Sequence, residues 1–133
     1  MSNIPTSGGY FDALRNEAFI VLTSYRRNGE AVPTTVWFAE LDGKLVITTR
    51  RTLGKVKRIG ANPQVLIAPS DRIGNVHGSA IAARARLLPD EEGERANAAL
   101  HRKYGDHYVA ITSQTDAGDP QLRVFLELAP PEG

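Results

Sequence analysis

Apolar and polar positions alternate in short blocks along most of this chain, and the blocks are separated by turn residues. Residues 18–25 are rich in Phe, Ile, Val and Leu and predict a strand. Asn28-Gly29 follows, a pair that tolerates positive φ and signals a hairpin. Residues 31–40, with Val32, Val36, Trp37 and Phe38, read as the returning strand. Asp42-Gly43 repeats the hairpin signal, and residues 44–49 read as a third strand. Trp37 and Phe38 are adjacent in a strand, so they point to opposite faces, and only one of them is expected in the core.

Further on, residues 55–61 predict a short helix with Val56 and Ile59 on one side, stopped by Asn62-Pro63. Residues 64–69 predict a buried strand. Residues 76–88 read as one long strand whose small alanines suit barrel curvature. Residues 90–104 form the clearest helix: Pro89 precedes it, and Asp90, Glu91 and Glu92 fill its first turn. Arg102 and Lys103 fill its last turn, as the dipole prefers, and Gly105 stops it. Residues 107–112 and 122–128 are expected to close the sheet, with a polar loop over 113–120. Near the start, residues 10–17 predict a small amphipathic helix that buries Phe11 and Leu14. The fold class implied is mainly β (α+β): an antiparallel barrel with short peripheral helices. Strand order does not follow from the pattern.

Length and composition narrow this picture. At 133 residues and 41% hydrophobic, the chain predicts a single domain over 1–133 with its core at about 10–129. The absence of cysteine excludes disulfides, thiolate catalysis and iron–sulfur clusters. His77, His101 and His107 have no i, i+4 spacing, so no metal site is expected. No apolar run is long enough to cross a bilayer, and the polar start lacks a signal-peptide layout, so neither membrane nor export is expected and cytoplasmic is the default location. A net charge of +1 gives no reason to expect nucleic acid as a partner.

Against that near-neutral balance, one segment concentrates cations. A strand end at Thr48-Thr49 leads through Arg50 and Arg51 to a helix that opens at Gly54 and carries Lys55, Lys57 and Arg58. Unpaired N–H groups and the positive end of the dipole make a helix start a natural phosphate site. Cations placed there gain nothing from the dipole and call for an anionic partner. A solvated face is the plainer reading of such a run, and Arg50 and Arg51 fit it as they stand. Pro33-Thr34-Thr35-Val36 has two readings of equal weight: an edge strand or bulge, or a ladder interrupted to admit a flat ring. No arrangement of nucleophile and base emerges, so the catalytic residues are unknown.

Three runs taken together resemble the pyridoxamine 5′-phosphate oxidase-like split β-barrel superfamily: residues 22–29, the Val32–Phe38 strand, and Thr48-Thr49 through Gly54-Lys55-Val56-Lys57-Arg58-Ile59 to Asn62-Pro63. Gly78, Ala85-Arg86 and Lys103-Tyr104-Gly105 fit the same pattern. The sequence is similar in particular to the deazaflavin (F420)-dependent and flavin-dependent reductases of that group. This resemblance implies an antiparallel split β-barrel and a homodimer with cofactor sites at the subunit interface. It carries over Gly54, Lys55, Val56, Lys57 and Arg58 as the phosphate and cofactor-tail helix. Pro33, Thr34, Thr35 and Val36 become the strand against the ring, and Thr48 and Thr49 the adjoining strand end. F420 would give its anionic oligoglutamate tail a partner in Arg50 or Arg51.

The activity implied is hydride transfer between reduced F420 and an unsaturated or electrophilic small molecule. Alternatives are an FMN-binding flavin reductase or oxidase, and a non-catalytic cofactor carrier or sensor. Neither the Ser-Arg-Lys phosphate run nor the C-terminal substrate motif of true pyridoxamine phosphate oxidases is visible, so vitamin B6 oxidation is not expected.

Overall fold

The computed structural model describes residues 10–14, 16–50, 54–110 and 123–131. Six strands form it: β1 (Phe19–Tyr25), β2 (Ala31–Leu41), β3 (Lys44–Arg50), β4 (Gln64–Ser70), β5 (Ile81–Leu87) and β6 (Arg123–Ala129). They close a barrel in the order β1-β2-β3-β6-β5-β4, with every pairing antiparallel. Helix α1 (Gly54–Ala61) packs on β1 and β5, and α2 (Asp90–Tyr104) lies across β2, β3 and β6. The mainly-β split barrel expected from the sequence is the observed fold.

Period-two alternation sorts the side chains. Ile20, Leu22, Val36, Phe38, Leu45, Ile47, Val65, Ile67, Ala83, Ala85, Leu126 and Leu128 fill the barrel, joined by Phe11, Leu14 and Ile59. A second cluster forms outside it, where Ala39 and Val46 meet Ala96, Ala99 and Leu100 of α2. Phe38 is thus the core residue. Trp37 faces the other way, with its ring centroid 4.4 Å from that of Tyr104 and 5.9 Å from that of Phe19. The β2–β3 hairpin turns at Asp42 and Gly43, both at positive φ (55° and 79°), as a primed turn needs.

Three expectations are corrected. Residues 76–80 are not strand: Val76 makes one isolated bridge to Ser70, and β5 begins at Ile81. The chain instead folds back on β4. His77 N–H donates to Pro69 O at 3.0 Å, and Gly78 lies so close to the Pro69 ring that a Cβ would stand 2.6 Å from Cγ. Pro69 has no N–H to continue a ladder there. Residues 106–110 are helical, not a strand. β6 already closes the barrel, and Tyr108 packs toward α2, its hydroxyl donating to Asn97 Oδ1 at 2.6 Å. The first helix shrinks to a 3-10 turn over Asp12–Leu14, which still buries Phe11 and Leu14. Leu122, Ile111, Thr112 and the 113–120 loop lie outside the described residues. Among those described, no helix is long and apolar enough to cross a membrane.

Candidate functional site

The β2–β3 ladder runs from Leu41↔Lys44 only to Phe38↔Ile47. Beyond that point the strands part. β3 continues along β6, with Thr48↔Phe125, Thr49↔Val124 and Arg50↔Arg123. β2 continues along β1, with Val36↔Ile20, Thr35↔Val21, Thr34↔Leu22 and Pro33↔Thr23. The barrel wall is therefore split where the sequence places Pro33–Val36 opposite Thr48–Arg50. In an antiparallel strand, alternate backbone N–H and C=O groups point to each side. Along β2 from Ala31 to Trp37, the side away from β1 faces no strand among the described residues. Pro33 contributes no N–H at all.

Parity divides the expected residues between two faces. Val36 and Thr49 are buried, Val36 within the barrel core, so neither presents its side chain on the outer face of the opening. Thr34 shares the inward register of Val36. Pro33 and Thr35 face outward, with Pro33 exposed. Thr48 alternates with buried Ile47 and Thr49. Its hydroxyl donates to Val124 O at 3.1 Å and lies 3.4 Å from the Arg123 guanidinium.

The loop after β4 comes up against this outer face. Gly74, at φ 95°, sits where a Cβ would stand 2.8 Å from Thr35 Oγ1. Asp71 builds the loop by accepting from the Ile73 and Asn75 N–H groups and from Asn75 Nδ2, at 2.9–3.0 Å. Those bonds, the Asn75 backbone N–H first, hold its carboxyl below the usual range.

Helix α1 opens at Gly54, four residues after β3 ends at Arg50, and has no acidic residue in its first turn. Val56 is half-buried and Lys57 exposed, with no ion pair to any described residue. Arg58 turns the other way: its Nε donates to Ser24 Oγ at 2.8 Å, satisfying a hydroxyl that β1 points into the barrel end. Arg58 is thus held by the fold, whereas Lys57 is available. The side chains of Arg50 and Lys55, and the whole of Arg51, lie outside the described residues.

Two further polar clusters are paired within the fold. His77 Nε2 meets Glu17 Oε1 at 2.7 Å, and Arg86 bridges Glu127 and Glu92 at 2.9 and 3.0 Å. Among the described residues, no group of His, Asp and Glu could hold a metal.

Two features were not legible as site elements. The approach of Gly74 to Thr35 depends on how the loop folds back, which spacing does not encode. Arg123 reaches Thr48 only because β6 is the neighbour of β3, and strand order was not readable.

No curated protein sequence matches the chain. Among solved structures, it is similar to a protein described as an F420 reductase, at 21% identity, covering 97% of each chain with a TM-score of 0.58. It is also similar to a heme storage protein from Vibrio cholerae, at 14% identity, over 89% of this chain and 84% of the other, with a TM-score of 0.68. A conserved hypothetical protein from Mycobacterium tuberculosis shares 16% identity over 98% and 82%, with a TM-score of 0.70. At such identities these likenesses establish the fold alone. The family model described as pyridoxamine 5′-phosphate oxidase matches residues 10–133, and with the split barrel wall beside it this chain belongs to that family.

Proposed function

We propose that this protein is an F420-dependent oxidoreductase that exchanges a hydride between the deazaflavin and an unsaturated or electrophilic small molecule. The observation that carries the reading is the parting of β2 from β3 beyond Phe38↔Ile47, with the cationic α1 opening four residues beyond the end of β3. A flat ring fits a strand edge left without a partner, where Pro33 supplies no competing N–H and the outward Thr35 borders the opening. The phosphate takes the backbone N–H groups at the start of α1, and Lys57 with Lys55 supplies charge-assisted contacts to the anionic tail. When bound, the reduced deazaflavin supplies the hydride. The protein's part is to bind and orient, which agrees with the lack of a nucleophile–base pair among the described residues.

The reading includes a homodimer. One barrel contributes a single outer face to the opening, and a second copy would cover the other side of the ring.

FMN is the second reading, and Arg58 is what favours it. With Arg58 committed to Ser24, the cations left for a ligand are fewer than the sequence suggests. A carrier or sensor is the reading from another class, and the similarity to a heme storage protein is its support.

Native mass spectrometry of protein purified from an F420-producing host tests cofactor and dimer together. The expected species is a dimer with two F420 molecules, whose reduced form is oxidised by at least one acceptor in a broad panel. A dimer carrying FMN supports the second reading. Tight binding without turnover on any acceptor supports the carrier.

A further inference from the structure

A cavity of about 270 Å³ opens beside α2, with an apolar lining that includes Phe11, Leu14, Phe38 and Leu45. Arg102 and Lys103, consecutive in the last turn of α2, line it as well. Lys103 Nζ stands 3.5 Å from the centroid of the Phe38 ring, a cation–π contact made with a core side chain. Neither Lys103 nor Arg102 has an ion pair with any described residue. Desolvation draws the Lys103 ammonium down to about 8, and the more distant carboxylates of Glu17 and Glu40 oppose that pull without bridging to it. Lys103 is exposed as a residue, yet its ammonium lies over an apolar ring and no described carboxylate forms an ion pair with it.

We infer that this cavity binds a small amphipathic monoanion, a carboxylate on an apolar body. Its charged end would lie on Lys103 and Arg102, and its body would lie against Phe11, Leu14 and Phe38. The volume sits at the low end for ligand pockets and suits a short acyl or aryl acid. Glu40, in the same lining, disfavours polyanions such as phosphates. The site uses β2 where it is still paired with β3, so it is independent of the cofactor reading.

Titration of the full chain with octanoate, followed by calorimetry and by backbone amide spectra, tests this. Saturable one-to-one binding is expected, with shifts centred on Phe11, Leu14, Ala39 and Ala99. Lys103→Gln should weaken it tenfold or more and the exposed Arg102→Gln severalfold, the second variant serving if the first perturbs folding. Pairing with a carboxylate raises the Lys103 pKa, so affinity should fall as pH rises from 8 to 10 and should lose that dependence in Lys103→Gln. Glu17, Glu40 and Arg102 are the other charged groups around the ammonium. Equal binding of octanoate and uncharged octan-1-ol, shifts centred elsewhere, or no saturable binding would each overturn the inference.

Discussion

The Tyr104 hydroxyl takes the place of a strand neighbour for Phe38. It accepts the Phe38 N–H at 3.0 Å and has the Phe38 and Ala18 carbonyl oxygens at 2.7 and 2.6 Å. The β1–β2 ladder reaches Phe19↔Trp37, and one step further a single phenol from α2 occupies the position. That contact fixes α2 against the sheet and places Lys103, the preceding residue, over the Phe38 ring. Tyr104→Phe should therefore lower stability by about 1–3 kcal/mol, the cost of leaving part-buried backbone groups unpaired. Chemical denaturation of both proteins measures it, and an unchanged midpoint would mean that water replaces the hydroxyl at no cost.

Lys103 and Tyr104 together predict the alkaline pH dependence of folding. The folded pKa of Lys103 lies below its unfolded value, at about 8 against 10.5. Its neutral form is therefore favoured by folding, and stability rises as pH climbs from 8 toward 10.5. Tyr104 is raised by burial from 10.0 to about 12. Its contribution is complete below about 10 and is lost as pH rises through 12. The stability profile should rise above pH 8, peak near pH 10 and then fall. Lys103 is partly solvated, so the rise is shallower than the full shift implies. Denaturation midpoints across that range in the wild type and in Lys103→Met check this, and the rise should vanish in the variant.

Neighbouring cations on α1 should behave differently. Lys57→Ala leaves folding unchanged and weakens cofactor binding by roughly 1–3 kcal/mol, the range for a charge-assisted contact. Arg58→Ala removes the partner of the buried Ser24 hydroxyl and should lower the melting temperature. Thermal melts and cofactor titrations of both variants separate the roles. If Lys57→Ala binds as tightly as wild type, Lys57 belongs to a solvated face.

Gly74 is at φ 95°, and a methyl group there would meet Thr35 Oγ1 at 2.8 Å. Gly74→Ala should cost about 1–3 kcal/mol of backbone strain and displace the loop from β2. If this loop borders the ring, cofactor affinity falls along with stability, whereas Thr35→Ser, which keeps the hydroxyl, leaves both near wild type.

Much of the barrel was legible because its first three strands are local. Two turn pairs with positive-φ residues, Asn28-Gly29 and Asp42-Gly43, fix a meander that needs no distant information. Helix α2 was legible from its charges and Gly105. The failures came where tertiary contacts override pattern. Residues 76–80 alternate like a strand, but they fold against Pro69, which cannot donate to them. Residues 107–110 carry strand-forming side chains but are helical, with the Tyr108 hydroxyl donating to Asn97 of α2. The cationic run was visible as a feature, and helical spacing turns Arg58 away from Lys57, but nothing in it showed Ser24 as the partner of Arg58. Lys103 read as a dipole-complementing residue, because its position over Phe38 depends on how α2 crosses the barrel.

The central claim is that the split between β2 and β3 holds a deazaflavin. Equilibrium titration of the apoprotein with F420, FMN and hemin in parallel tests it most directly. Saturable F420 binding, weaker FMN binding and weakened F420 affinity in Lys57→Ala are expected. Tight FMN or hemin binding with no measurable affinity for F420 would contradict it.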